Sequence, residues 1–473
     1  MTLDDKTLPQ FISSVAAKPG LRLPGLSPAE KEWRAGRALR KRIHRKSHAA
    51  IGRPPASRDA VSMIIASDKG RVEKLVPIRH SRMLESPFAY FRGTAANQAS
   101  DLARAPSTGI VTQCCGDAHL MNFGGFATPE RKFLFDINDF DETFPAPFEW
   151  DLKRLAASFV LAARWRGISD GRARDIAATA ARGYRSEMAL AAAENTLDTW
   201  YAAVTWEDVL REVRDDPAVS KCLKQVTVEA RHHTSEYVFH KLAESKGGKI
   251  LLHDQPPLLY HSRALNLATI AAHFFKGYAK TLPWSRQHLF ARLRLIDAAF
   301  KVVGIGSVGT RCYVALMLGE RNEPVFLQIK EARKSVLAGH AGRSPWRDEG
   351  ERVVVGQRLL QTASDIFLGW SRAQDGRFYY VRQLRDMKAS VDIASMNARA
   401  LDLYASLCGQ TMARAHAKAG SAPRIAGYLG KSDHFDTAIG RYAIAYADRS
   451  EQDYEAFRRA AANGRIKTET SPV

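Results

Sequence analysis

Apolar residues recur at helical spacing from Trp150 onward. Leu152, Leu155, Phe159, Ala162 and Ala163 share a face, and the pattern continues to about residue 212. Upstream the period differs. Residues 109–115 and 132–138 are short apolar runs bounded by turn formers, which predicts strand, loop, strand. Another helix is expected over 286–300. The period then shortens: 301–304, 311–318 and 324–330 read as strands, 348–362 as a helix, 377–384 as a strand, and 394–419 as a long Ala/Leu-rich helix. Residues 1–60 read as a polar leader punctuated by Pro24, Pro28, Pro54 and Pro55, and 61–100 as mixed. Residues 215–262 are harder to read, with a short hairpin signal at 247–252. The order is helical, then a small sheet, then helical again, which is an α+β chain.

The 473 residues can bury one large core or two or three smaller ones, and 45% apolar with 25% charged residues is a globular composition. No run of about 18 uninterrupted apolar residues occurs, so no transmembrane helix is expected. The opening residues carry acids where an export signal needs bases, and no long apolar stretch, so the cytoplasm is the expected compartment. Five cysteines without a C-x-x-C pair indicate neither a disulfide framework nor a zinc site. Charge changes the picture more. A net charge of +20 and a pI of about 9.8 favour polyanions, acidic surfaces or phosphorylated ligands. Residues 1–50 hold 11 Lys/Arg against 4 Asp/Glu. That is either a weak polyanion contact or a solvated basic helix, and no helix-turn-helix, zinc-finger or RNA-recognition signature accompanies it.

The sharpest chemistry lies at Gly116-Asp117-Ala118-His119-Leu120-Met121-Asn122, just after an apolar strand, with Asn138-Asp139-Phe140-Asp141 following the next strand. Phosphoryl transfer from Mg-ATP needs a carboxylate to orient the attacking hydroxyl. It also needs an amide oxygen and a second carboxylate to hold Mg²⁺ against the phosphates. Asp117, Asn122 and Asp139 supply that set, with Asp136 and Asp141 as competitors for the metal role. The string resembles the catalytic loop of aminoglycoside and choline phosphotransferases, Gly-Asp-x-His-x-x-Asn. The resemblance implies that Asp117 is the base, that Asn122 and Asp139 bind metal, and that His119 is structural. It also implies that Asp151, in Glu149-Trp150-Asp151-Leu152, buttresses the loop. Cys115 departs from the pattern, which often has His there.

A second string, Gly304-Ile305-Gly306-Ser307-Val308-Gly309, lies between two predicted strands. Glycines let backbone N–H groups approach phosphates without interference from Cβ. A dinucleotide fold would open a helix at the third glycine; here 310–318 is β-like. Val325-Phe326-Leu327-Gln328-Ile329-Lys330 follows. The pair resembles the glycine loop and strand lysine of kinases, which makes Gly304, Gly306, Ser307, Gly309 and Lys330 the expected ATP contacts. The same resemblance asks for a helical Glu as partner of Lys330. Glu351 is the better candidate, with Gln357 and Arg358 as substitutes. It further makes Gln383 and Leu384 the hinge facing adenine.

In ordinary kinases the glycine loop and lysine precede the catalytic loop; here they follow it. The implied fold is a protein-kinase-like two-lobe α+β fold, circularly permuted, with a small β-rich lobe inserted after the catalytic loop of a large helical lobe. The corresponding division is a basic leader at 1–60, the catalytic-loop part at 61–300, the β-rich lobe at 301–385 and returning helices at 386–473. The chain also resembles an uncharacterised bacterial family placed among kinase-like folds, on Phe91-Arg92-Gly93, 302–310, Gly356-Gln357-Arg358 and 364–369. The expected activity is ATP- and Mg²⁺-dependent phosphotransfer to an unidentified small-molecule or protein hydroxyl. The rivals are AMP transfer on the same fold, a non-catalytic nucleotide-binding regulator or basic scaffold, and a two-metal phosphoesterase. The last would want a Gly-Asn-His-Asp/Glu string that is absent from the sequence.

Overall fold

The computed structural model describes residues 29–212, 235–246, 249–261, 270–302, 304–384 and 391–469. Residues 1–28 of the expected leader, Cys222, the His232-His233 pair and the turn of the 247–252 hairpin lie outside them. The fold is a mixed α+β one. No described helix is long and apolar enough to cross a membrane.

The N-terminal helices are α1 (Ala29–Leu39), α2 (Ala60–Asp68), α3 (Val76–Met83), α4 (Pro87–Arg92) and α5 (Ala95–Leu102). Asp59 caps α2 by accepting from Val61 and Ser62 N–H, and Ser86 caps α4 by accepting from Ala89 N–H. Then come β1 (Val111–Cys114), the hairpin β2 (Phe123–Ala127) and β3 (Phe133–Ile137), and β4 (Phe144–Pro147), which pairs back on β1. Next follow α6 (Glu149–Trp165) and α7 (Asp170–Ala191). Helix α6 is buried along nearly its whole length, as expected of a central helix that is apolar on several faces.

A six-stranded antiparallel sheet follows. Its strands are β7 (Leu259–Tyr260), β8 (Arg294–Lys301), β9 (Cys312–Leu318), β10 (Pro324–Ala332), β11 (Gly369–Arg372) and β12 (Phe378–Gln383), in the spatial order β11-β12-β10-β9-β8-β7. The separate hairpin β5 (Ala243–Lys246) and β6 (Lys249–Leu252) precedes it. Helix α8 (Glu349–Leu360), capped by Asp348, packs on the sheet. The chain then returns through α9 (Ala398–Ala419) against α7, α10 (Ala422–Leu429) against α1, and α11 (His434–Ala462) against α6 and α7.

Two expectations change. The helix foreseen over 286–300 ends at Phe290, and 294–301 is strand β8. Leu293, Ile296 and Phe300 fit a helical period. Pairing with β9 buries 297–300, however, and tertiary pairing outweighs so weak a local preference. The basic stretch from 29 is docked rather than a free leader. Arg40 and Arg45 donate to the carbonyls of Gly427, Tyr428 and Leu429, satisfying the open end of α10. The approach is close: a Cβ on Gly36 would lie 1.9 Å from Arg424 O, and one on Gly427 would lie 2.1 Å from Trp33 O.

Candidate active site

Asp117 sits on the turn after β1, where Gly116 has φ +86° and a Cβ would come within 2.2 Å of Glu142 O. Only glycine suits that conformation and that space. From the first turn of α6, Asp151 accepts from Cys115 N–H at 2.7 Å and Gly116 N–H at 2.9 Å. His416 of α9 stands 3.2 Å from Asp151 and is oriented by Tyr184 Oη at 2.9 Å. Cys114, Asp151 and His416 cluster closely enough to suggest a metal, but both Asp151 oxygens are engaged by the loop. Asn122 donates from Nδ2 to Asp117 O at 2.8 Å, which leaves its Oδ1 for the cavity.

The Asp117 carboxylate accepts from Arg154 Nε at 2.8 Å. Burial nonetheless raises its pKa, with Arg154 acting against that rise. His119, buried among Arg92 and Arg154, is held well below the usual histidine range by burial first and those cations second. It is therefore neutral at neutral pH, and its Nδ1 is buried without a hydrogen-bond partner.

Strand alternation sets the opposite wall. Gln328 and Lys330 share one face of β10, and their partners on β12, Arg382 and Tyr380, share it too. Lys330, 4% exposed, makes an ion pair with Asp141 and lies 3.9 Å from Asp139 Oδ2. Tyr380 donates to Asp141 Oδ1 at 2.8 Å. Burial opposes the charged forms here. Lys330 and Tyr380 outweigh it at Asp141, whose pKa falls, while at Asp139 burial and the Asp141 charge push the pKa up. Lys330 is held well above its usual range by the two carboxylates, against its own desolvation.

These residues line one cavity of about 250 Å³. Asp117, His119, Asn122, Asp139, Gly304, Gly306, Ser307 and Lys330 are all on it, together with Asp141, Glu142, Gln328, Arg382 and three arginines of the N-terminal helices. Gly309 has φ +85° at the end of the glycine turn and packs on Arg71. Gly309 is not on this cavity, and three further expected contacts stand elsewhere. Glu351 is half-buried in the first turn of α8 and does not line the cavity; Lys330 has Asp141 as its partner instead. Gln383 lines a neighbouring cavity of about 280 Å³ with Asn138, Gln361, Asp365 and Arg382. Its N–H is engaged by Asp365, and Leu384 N–H donates to Phe326 O at 2.9 Å, because β12 stays paired to its end.

Sequence reasoning missed Arg154, Arg92, Arg71, Arg79 and Arg382, and the pairing of Lys330 with Asp141. The only signals were an arginine one turn after Asp151 and a second acid two residues beyond Asp139. A family model described as "Uncharacterized protein conserved in bacteria (DUF2252)" matches residues 71–460. No curated protein and no solved structure matches the chain.

Proposed function

The chain belongs to that uncharacterized bacterial family, whose description carries no activity, and we propose from the site itself that it is an ATP- and Mg²⁺-dependent phosphotransferase acting on a hydroxyl. The observation that carries this is the meeting of Asp117, Asn122, Asp139 and Lys330 with the Gly304–Ser307 turn around one cavity, from segments about 200 residues apart in sequence. The sheet supports it. A glycine turn joins β8 to β9, the lysine stands on β10, a helix packs next, and β12 and β11 complete the order, as in the small lobe of a kinase. On this reading the chain is a circularly permuted kinase-like fold: residues 61–300 carry the catalytic loop, 301–385 most of the small lobe, and 386–473 the returning helices.

The donor set fits the cation. Asn122 Oδ1 and the Asp139 carboxylate, both on this cavity, would be hard oxygen ligands for Mg²⁺, which would neutralise phosphate oxygens of ATP. Asp117, oriented by Arg154, takes the proton of the acceptor hydroxyl. The acceptor oxygen forms the new P–O bond as the bond to the leaving ADP oxygen breaks and ADP keeps that electron pair. Lys330 sits where it can exchange its Asp141 pair for nucleotide phosphate. Tyr380 and Ser307 hold Asp141 near it.

Incubation of the protein with γ- and α-labelled ATP, Mg²⁺ and cell extract tests the proposal. Transfer of the γ label to an acceptor is expected. Transfer of the α label alone would replace the reading with AMP transfer. A protein that binds no Mg-nucleotide would remove it.

A further inference from the structure

The N-terminal helices, which lie before the catalytic loop in sequence, put more positive charge on the cavity than its carboxylates use. Arg79, 1% exposed, is held by Asp68 at 2.7 Å and Gly93 O at 2.8 Å. Arg71 donates to Val308 O at 2.6 Å and to Ser67 O at 3.2 Å. Arg154 holds Asp117, Lys330 holds Asp141, and Arg382 donates to Gln328 at 2.9 Å. Arg92 differs. It ends α4 and lines the cavity, its Nε is buried without a hydrogen-bond partner, and among the described residues no carboxylate forms an ion pair with it. Burial depresses its pKa, and the acid that opposes this most is Asp117. Arg92 and Asp117 line the same cavity, and Arg154, which holds Asp117, also donates to the carbonyl of Phe91, the residue before Arg92. An unpartnered guanidinium in a polar cavity is destabilising unless something outside the chain completes it, and its planar fork suits phosphate or carboxylate.

The same helices roof the glycine turn. Val72 N–H donates to Gly309 O at 2.7 Å, and Val308 packs among Leu75 and Ile78. A Cβ on Gly306 would stand 3.5 Å from Arg92 O. These contacts pack the N-terminal segment over the glycine turn, and the cavity beneath, about 250 Å³, is of a size that suits a small ligand.

We infer that the acceptor is a small molecule carrying an oxyanion, phosphate or carboxylate, besides its hydroxyl, and that Arg92 binds this oxyanion next to Asp117. The inference rests on the phosphotransferase reading. It names the substrate class and a specificity residue that the catalytic-loop pattern does not contain.

The test is calorimetric titration of the full chain, saturated with Mg²⁺ and a non-hydrolysable ATP analogue, with inorganic phosphate and, separately, with acetate. Wild type should bind one of the two, and which one distinguishes a phosphorylated from a carboxylate acceptor. Arg92→Gln should weaken that binding about tenfold to a hundredfold, the range expected for losing charge-assisted hydrogen bonds. Arg92→Lys, which keeps the charge but not the fork, should fall between. Nucleotide affinity should stay within about twofold in all three proteins, since the analogue is held from the glycine turn, Lys330 and the metal residues. Among the described residues the Arg92 guanidinium holds no other side chain, so both variants should fold, and their circular dichroism should match wild type. Equal anion binding by wild type and Arg92→Gln overturns the inference, as does failure of wild type to bind either anion. A parallel loss of nucleotide affinity also overturns it, because Arg92 would then be a ligand of the ATP phosphates. Anion binding that persists while no Mg-nucleotide binds removes the phosphotransferase reading instead, and with it the acceptor role of Arg92.

Discussion

Asp117 shows how a buried loop carboxylate can suit the proposed role of base without losing its place. Burial raises its pKa, while Arg154 keeps it oriented from α6. Asp117→Asn is nearly isosteric and its Oδ1 can still accept from Arg154. It should keep folding and Mg-ATP affinity and lower turnover by about 10²–10⁴, the usual contribution of a general base. Label transfer alongside nucleotide titration measures both; full activity in the variant would move the base elsewhere. Glu142, on the same cavity, offers a pH signature. Burial pushes its pKa up from 4.5 to about 7, although it accepts from Val336 N–H. The folded state thus holds the proton more tightly than the unfolded chain. The stabilisation is complete below about pH 4.5 and is lost as pH rises through 7. Glu142→Gln keeps the acceptor for Val336 and removes this titration, so its melting temperature should fall less between pH 5 and 8 than that of wild type, by about a few degrees. Parallel melting curves across that range would show the carboxyl already ionised in the fold.

At the scale of elements, the loop that carries Asp117 is held from behind rather than from the cavity. Asp151 and His416 come from α6 and α9, so the loop inherits the rigidity of the helical core. The loop motif was legible because its residues are contiguous, and β9 and β10 showed in the sequence because each is a run rich in branched and aromatic residues, buried along most of its length. Strand β8 was not legible: its apolar spacing also fits a helix, and only its partner β9 decides between the two. The docking of α1 on α10 was hidden as well, since a run of arginines looks solvated until the carbonyls it meets are known. That crossing depends on two glycines. Gly427→Ala must push α10 off the backbone at Trp33, and should cost about 1–3 kcal/mol in chemical denaturation, the range for overpacking. An unchanged midpoint would show that the two helices can separate freely.

Across the whole molecule, three regions share one site: the N-terminal segment, the Asp117 loop, and the sheet with its glycine turn. Ligand binding should therefore stabilise the molecule as a unit. On the proposed function, Mg-ATP should raise the melting temperature of wild type more than ATP alone does. Asp139→Ala should erase that magnesium-dependent increment by deleting a ligand oxygen to a hard cation. If the increment survives, the metal role passes to Asp141 or Asp136. Asp136 starts from a weaker position, since its carboxylate already accepts from Ile137 and Thr362 N–H.

By itself the sequence determined the α+β composition, most of the helices and strands flanking the site, and the candidate groups at Asp117, Asn122, Asp139, the glycine turn and Lys330. It could do so because hydrophobic period and turn chemistry act over a few residues and survive in one dimension. Which charges meet is a different kind of question. Lys330 could have paired with Glu351, close by in the chain, yet it pairs with Asp141, nearly 190 residues earlier. Arg92 could have been one more solvated arginine, yet it faces the cavity without an ion-pair partner among the described residues. Such choices depend on distance, burial and competing ions in three dimensions. Only the packing of the N-terminal helices and the sheet against the Asp117 loop decided them.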